Sequence, residues 1–300
     1  MKKLLGIIAA ILLASVVLTA CSGDEEKEVT VGAKNFTEQF LLAKMSQMLL
    51  EDEGFVVDMK DNLGSSALRQ ALENGQVQVT WDYTGTGLVT YNGEEPIADE
   101  QEAYAKIQEV DAENGITWTN ISDVNNTYTL VMRSEQANDL GIASISDLAD
   151  YVNANPGELI MATDAEFANR ADGLPGIYET YGFEFGDEQV SEMSYGLNYD
   201  AIHNKEVDVA VGFATDSRIR EYDLVNLEDD QKFFPSYSAA VSMLTETYEE
   251  YPEIEEILKP LAEGLDSETM RELNYLVDVE ENSVEDIARE FLIENGYMEE

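Results

Sequence analysis

The sequence predicts an α/β fold divided into two lobes, and three features carry that prediction. Strand-like and helix-like segments alternate from residue 29 onward. The pattern changes near residues 127–133 and again near 234–239, as expected where a chain leaves one lobe and later returns to it. Of the 300 residues, 44% are hydrophobic and 9% aromatic, enough for packed cores despite an extreme charge. Beyond the N-terminal leader about 280 residues remain, room for two domains of ordinary size.

The elements follow in order. Val29–Ala33 is strand-like, Phe36–Leu50 an amphipathic helix, and Phe55–Met59 a second strand. Ser65–Asn74 is a helix that Ser65 or Ser66 would cap, with Gly75 just past its end. Val77–Trp81 is a third strand. This βαβαβ opening implies a parallel sheet, with ligand sites at the carboxyl ends of its strands. A helix over Gln101–Asn114 and a strand over Thr127–Arg133 lead into a middle block. There Ile145–Asn153 and Tyr199–Asn204 are helical, and Leu159–Thr163 and Val207–Phe213 extended. A last strand, Ala239–Leu244, precedes three helical stretches ending at Tyr297. Ser267 and Ser283 stand at helix starts, and Ser283 has the acid three residues on, Asp286, that completes a capping pair. One lobe is expected over 29–130 plus 237–300 and the other over 131–236. No internal repeat or low-complexity linker interrupts them.

The N-terminus has the layout of an export signal. Met1-Lys2-Lys3 is a short positive region and Leu4–Leu18 an uncharged apolar run, too short for a bilayer span of about 20 residues. Leu18-Thr19-Ala20-Cys21 then resembles the lipobox of bacterial lipoproteins. That resemblance implies a signal peptide over 1–20, a diacylated Cys21 and a tether over 21–28. The other reading is an ordinary signal with an incidental cysteine. Cys21 is the sole cysteine, so no intrachain disulfide is possible, and two acyl chains anchor stably where one is marginal. No later apolar run approaches a span. The expected location is the outer face of the cytoplasmic membrane.

Charge and composition exclude several chemistries. There are 62 acidic and 17 basic residues, net −45 with pI near 4.1. Losing Lys2 and Lys3 with the leader leaves 15 basic residues and a net of −47. Nucleic acid and anionic surfaces are bound through Lys and Arg, so neither is an expected partner. A Ser-His-Asp triad would rest on the single histidine, His203, which sits in a polar helical stretch. A Cys/His zinc site cannot be assembled, and no metal or cofactor is expected. Gly85-Thr86-Gly87 begins like a dinucleotide loop but lacks the last glycine. With 62 carboxylates, no acid pair singles itself out for glycoside chemistry.

Aromatic residues stand where loops leave strands. Trp81-Asp82-Tyr83-Thr84-Gly85 follows the third strand, with Trp81 as an expected fluorescent reporter. Asn126-Thr127-Tyr128 opens the outgoing crossover, Gly212-Phe213-Ala214 ends a strand of the middle block, and Phe234-Pro235-Ser236-Tyr237 opens the return. Taken singly each is a core or interface ring; four at lobe junctions point to an interlobe cleft, where small ligands bind.

At these residues the sequence resembles the substrate-binding proteins of osmoprotectant ABC transporters, the glycine betaine/carnitine/choline group. The resemblance runs from Val29 to Tyr297. Its landmarks include Gly32-Ala33-Lys34-Asn35-Phe36-Thr37-Glu38-Gln39, Asn62-Leu63-Gly64-Ser65-Ser66, Tyr83-Thr84-Gly85-Thr86, Asp172-Gly173-Leu174-Pro175-Gly176 and Phe213-Ala214-Thr215-Asp216. It implies a periplasmic-binding-protein-like (type II) clamshell that closes on ligand and delivers it to a permease and its ATPase. No enzyme activity is implied.

The chemistry implied by the family suits the residues. A quaternary ammonium donates no hydrogen bond and is recognised by desolvated aromatic faces, each contributing about 0.5–2 kcal/mol. By resemblance Tyr83, Tyr128, Phe213 and Tyr237 form the cage, Phe213 standing where a tyrosine is usual. Lys34, Thr86 and Arg170 match positions that meet a ligand carboxylate, Arg170 through its planar fork. The competing role for Lys34 and Arg170 is a surface ion pair. Asn126 matches a polar residue beside the cage, and Ser66 a pocket edge. Glycine betaine is the first expected ligand, then carnitine, choline or proline betaine. Alternatives are another trimethylammonium zwitterion such as ergothioneine or, in a different class, a secreted carboxylate-dependent hydrolase.

The acids are spread along the chain, as in Glu249-Glu250, Glu255-Glu256 and Glu280-Glu281, and lysine is scarce. That pattern fits surroundings of high salt, where a Debye length of about 3 Å at 1 M damps self-repulsion. The expected result is a melting temperature that rises between millimolar and molar salt; a salt-independent value contradicts it. Acidic faces that serve solubility alone are the other explanation.

Overall fold

The computed structural model describes residues 26–194 and 196–299; the leader and Cys21 lie outside them. The chain opens with β1 (Glu28–Lys34), α1 (Thr37–Asp52), β2 (Val56–Leu63), α2 (Ser65–Glu73) and β3 (Val79–Tyr83). A π-helical turn (Thr86–Tyr91), α3 (Glu100–Ala112) and β4 (Ile116–Thr119) follow. After a crossing come β5 (Tyr128–Arg133), α4 (Ser134–Leu140), α5 (Ile145–Ala154), β6 (Met161–Thr163) and α6 (Leu174–Tyr181). Next are β7 (Val190–Glu192), α7 (Leu197–His203), β8 (Val209–Phe213), α8 (Arg218–Glu221) and β9 (Leu224–Asn226). The return adds β10 (Ala239–Leu244), α9 (Thr245–Glu250), α10 (Glu253–Glu263), α11 (Ser267–Asp278) and α12 (Val284–Glu294).

Two five-stranded sheets result, ordered β2-β1-β3-β10-β4 and β7-β6-β8-β5-β9. They share one plan. Three strands run parallel, and the fourth position holds an antiparallel strand adjoining a crossover, β10 in one sheet and β5 in the other. Both faces of each sheet are covered, so β3 is buried at every position, Thr80 and Asp82 included, and β8 is apolar along its whole length. On the first sheet, Leu41, Met45 and Leu49 of α1 pack one face, while Leu68, Ile107 and Trp118 cover the other. On the second, Leu148 and Ile177 lie on one side and Tyr199 and Ile202 on the other.

β5 lies wholly in the second sheet, so the outgoing change of sheet falls between Thr119 and Tyr128, ahead of the 130/131 boundary expected from sequence. The two crossovers pair with each other. Asn126 donates its N–H to Tyr237 O at 3.1 Å and Ala239 its N–H to Val124 O at 2.9 Å, making a short two-stranded hinge. Such paired segments bend as a unit and are the usual place for lobe closure.

Some caps differ from expectation. α2 has Gly64 at its N-cap with no side-chain bond, so neither Ser65 nor Ser66 caps it. α11 is capped by Asp266, whose side chain accepts from Thr269 N–H, not by Ser267. Ser283 does cap α12, accepting from Asp286 N–H. Four helices rather than three follow β10. Among the described residues no helix is long and apolar enough to cross a membrane.

Candidate functional site

Between the lobes lies a cavity of about 560 Å³, within the roughly 300–1,000 Å³ of small-molecule sites. Its walls come from the carboxyl ends of strands and from the hinge. Tyr83 ends β3, Phe213 ends β8, Tyr128 begins β5, and Tyr237 lies on the return crossover. Sheet register alone sets one wall: Tyr128 and Phe213 are direct cross-strand partners, with ring centroids 4.7 Å apart. Tyr237 meets Tyr128 edge-on at 5.4 Å.

A fifth ring was not foreseen. Phe36, counted above as the first helical residue, is instead the extended N-cap of α1. There it stacks over Tyr83 at 6.2 Å and tilts against Phe213 at 5.3 Å. The signal in the sequence was its place just after a strand, at the end of a sheet where ligand loops gather.

The phenols are fixed by their hydroxyls. Tyr83 donates to Glu38 Oε1 at 2.6 Å and accepts from Gln39 Nε2 at 3.1 Å. Tyr237 donates to Asp172 Oδ2 at 2.7 Å. Burial, and then the neighbouring carboxylates, hold both phenols well above their ordinary pKa, so they stay protonated and their rings neutral. Gly85 admits this packing: a Cβ there would sit 2.7 Å from Ser236 O and 2.9 Å from the Tyr237 ring. The Gly85-Thr86-Gly87 segment is no dinucleotide loop but the entry to the π-helical turn, where Gly87 leaves space for Ile107 and Trp118.

Lys34 and Arg170 both line the cavity and are buried, not surface, residues. Lys34 Nζ donates to Asp82 Oδ1 at 2.6 Å, each side chain 4% exposed, and lies 5.0 Å from the Tyr83 ring centre. An ammonium has three protons to donate, and Asp82 takes one. Arg170 grips Asp172 with both arms of its fork, at 2.8 and 2.6 Å, and Glu166 Oε1 at 2.8 Å. Its guanidinium also lies 5.3 Å from the Tyr128 ring centre and 3.5 Å from Thr86 Oγ1. Both cations are thus held in place by the protein's own carboxylates, and a ligand carboxylate would join these pairs rather than meet bare charges.

Carboxylates crowd the same cleft. Glu166 and Asp164 line it from the second lobe. Burial alone would raise Glu166, but the charges of Lys34 and Arg170 outweigh it and hold the pKa below the ordinary value. Glu166 Oε2 also accepts the Ser65 N–H across the cleft at 3.4 Å. An excess of fixed negative charge in a walled cleft attracts cations.

Of the sequence-predicted residues, Tyr83, Tyr128, Phe213, Tyr237, Lys34, Thr86, Arg170 and Asn126 are brought together here. Asn126 gives its amide N–H to Glu38 Oε1 at 2.8 Å, and its buried Oδ1 has no partner among the described residues. Ser66 is not brought in: it is exposed on α2, and Ser65, the first residue of that helix, takes the cavity position instead. Trp81 is buried in the first core, bonded to Ser46 Oγ at 2.8 Å. It does not touch the cavity, so it cannot report ligand by direct contact. His203 is exposed at the end of α7, stacked on Tyr222 at 4.2 Å.

Comparison with known proteins adds the following. A family model described as the substrate binding domain of ABC-type glycine betaine transport systems, OpuAC, matches residues 27–294. A glycine-betaine-binding protein of Pseudomonas aeruginosa is 35% identical over 98% of this chain and 96% of its own length. The carnitine transport binding protein OpuCC of Listeria monocytogenes is 33% identical over 99% and 98%. A crystal structure described as a glycine betaine/carnitine/choline ABC transporter superposes with a TM-score of 0.72 at 32% identity, covering 90% of this chain and 99% of that one.

Proposed function

The chain belongs to the family of substrate-binding domains of ABC-type glycine betaine transport systems, and from that premise we propose that its cleft captures a trimethylammonium compound, glycine betaine first. It is a substrate-binding protein of the glycine betaine/carnitine class of ABC transporters. The observation that carries the ligand assignment is the ring arrangement: Phe213 and Tyr237 flank Tyr128 at 4.7 and 5.4 Å, and Phe36 tilts against Phe213 at 5.3 Å and stacks on Tyr83 at 6.2 Å. A methylated ammonium loses little on leaving water and gains the ring faces. A primary ammonium would leave its donors unpaired there.

In this proposal Arg170, Lys34 and Thr86 hold the carboxylate end of a betaine, added to the pairs already formed with Asp172 and Asp82. Closure about the two-stranded hinge buries the ligand, and the loaded protein delivers it to a permease and its ATPase. The anchor is a diacylated Cys21 on the outer face of the cytoplasmic membrane. The protein performs no chemistry on its ligand.

Calorimetric titration of the delipidated protein tests this. Glycine betaine should bind with measurable heat, and carnitine and choline should follow. Binding of ergothioneine alone would move the ligand assignment to that zwitterion. No heat with any trimethylammonium compound would sink the proposal, and turnover that disappears with one cleft carboxylate would replace it with a hydrolase.

A further inference from the structure

We propose that Glu38 is a positioning residue for ligand capture, setting the Tyr83 ring and the Asn126 amide and tying both to Thr215 of the second lobe. The inference rests on the cleft being a trimethylammonium site. Glu38 is 2% exposed. Its Oε1 accepts the Tyr83 hydroxyl at 2.6 Å and Asn126 Nδ2 at 2.8 Å, while Oε2 accepts the Thr215 hydroxyl at 2.8 Å.

These three donors come from three parts of the chain. Tyr83 ends a strand of the first lobe, Asn126 lies on the outgoing crossover, and Thr215 follows β8 in the second lobe. One carboxylate therefore joins both lobes and the hinge, directly behind a wall of the cage. A buried carboxylate is costly to keep, and packing alone would be served as well by an apolar residue. Its hydrogen-bond partners here are all neutral donors, so no ion pair explains its burial.

Two consequences follow for the site. With its N–H₂ turned to Glu38, Asn126 must present Oδ1 on its other side, and that buried oxygen has no partner among the described residues. Asn126 lines the cavity. A carbonyl dipole there suits the polarised methyls of an ammonium, or a ligand hydroxyl. Second, the Thr215 bond exists only while the lobes are together. It stabilises the closed, loaded form and has no counterpart while the lobes stand apart, so its loss should speed ligand escape without slowing entry.

The test uses the whole chain with glycine betaine and choline as probes, reading affinity by calorimetry and escape by chase of radiolabelled ligand. Thr215→Val keeps the shape of the side chain and removes the bond. A charge-assisted bond of this kind corresponds to about tenfold. Dissociation should become roughly five- to tenfold faster with association unchanged and the melting temperature held. Glu38→Ala should weaken binding by more than about tenfold, and Glu38→Gln, which keeps an acceptor for Tyr83 and Asn126, should restore most of it. The double variant Glu38→Ala/Thr215→Val should lose little beyond Glu38→Ala alone, because the two share one interaction.

Dissociation from Thr215→Val within twofold of wild type, or an effect confined to association, overturns the inference even where Glu38→Ala fails to fold. So does a Glu38→Gln variant as weak as Glu38→Ala. A wild-type protein that takes up no trimethylammonium compound overturns the functional proposal and this inference together. A wild type that binds, with Thr215→Val unchanged, overturns this inference alone.

Discussion

Replacing Tyr128 with leucine should weaken glycine betaine binding by roughly ten- to thirtyfold, the equivalent of about 1.4–2 kcal/mol for one desolvated cation–π face. Tyr128 is the central ring of the cage. It contacts Phe213 at 4.7 Å, Phe167 at 4.8 Å, Tyr237 at 5.4 Å and Phe234 at 6.3 Å. Leucine retains apolar volume, so the neighbouring rings keep a surface to pack against. Alanine at this 7% exposed position would add a cavity penalty of about 3–5 kcal/mol and mix stability with affinity. Tyr128→Phe is the matched control. Among the described residues the hydroxyl accepts one long 3.4 Å contact, from Arg170, so binding should stay within about threefold of wild type. Calorimetry on the three proteins separates ring from hydroxyl, and equal affinity in wild type and Tyr128→Leu would remove Tyr128 from the cage.

The largest stability change is expected far from the cleft. Asp111→Ala should cost about 3–5 kcal/mol of unfolding free energy, the range for stranding one member of a buried ion pair. Arg69 on α2 reaches Asp111 on α3 with both arms of its fork, at 2.7 and 2.8 Å, and Asp111 is fully buried. The same carboxylate accepts from Trp118 Nε1 at 2.7 Å and from Asn92 Nδ2 at 2.9 Å. Without it the Trp118 indole N–H loses its acceptor, and Arg69 keeps only the bond from its Nε to the half-exposed Glu73 at 2.6 Å, leaving its two terminal nitrogens buried without a carboxylate. Denaturant unfolding measures the loss, and a change under about 1 kcal/mol would mean that water or Glu73 replaces the partner.

The same network predicts a pH dependence. Burial pushes the Asp111 pKa up, but the hydrogen bonds and charge of Arg69, with Trp118 and Asn92, outweigh it and hold the value below the ordinary aspartate range. A carboxyl depressed in the folded state stabilises the fold fully above its unfolded pKa. That stabilisation is lost as pH falls through the folded value. Wild type should therefore lose part of its stability in the acid range, and Asp111→Asn should show a shallower acid slope.

Much of the first lobe was legible because its strands carry apolar residues at alternate positions and its helices are bounded by turn residues. Val29–Ala33 and Val77–Trp81 set apolar residues in alternation with Thr30, Gly32, Gln78 and Thr80, and Leu68, Ala71 and Leu72 put a buried apolar stripe on α2 between them. The short strands of the second lobe were not. Val190–Glu192 and Leu224–Asn226 have three residues each, too few to show a period, and only pairing across the sheet makes them strands. The π-helical turn over Thr86–Tyr91 has no local signature either; within it Gly87 packs so closely on Ile107 and Trp118 that a Cβ would lie 2.8 and 3.0 Å from them, a contact visible only in the folded chain.

For the site, the four cage rings were visible through their positions after strands. What escaped was each group whose role depends on a partner distant in sequence. Lys34 and Asp82 are 48 residues apart, and Glu38 and Thr215 are 177 apart. The start of α2 at Ser65 was legible, but which of Ser65 and Ser66 faces the cleft depends on lobe packing and was not. Phe36 was absorbed into the helix it precedes because a helix start is not fixed to one residue by pattern alone.

The central claim is that the rings recognise a positive charge, not merely a greasy group of the right shape. Glycine betaine and 3,3-dimethylbutanoate have the same shape and carboxylate, differing by a carbon in place of the charged nitrogen. Paired titrations of the wild-type protein compare them directly. Glycine betaine should bind at least about a hundredfold more tightly, the equivalent of roughly 2.8 kcal/mol from two or more ring faces. Equal affinity for the two compounds would contradict the account.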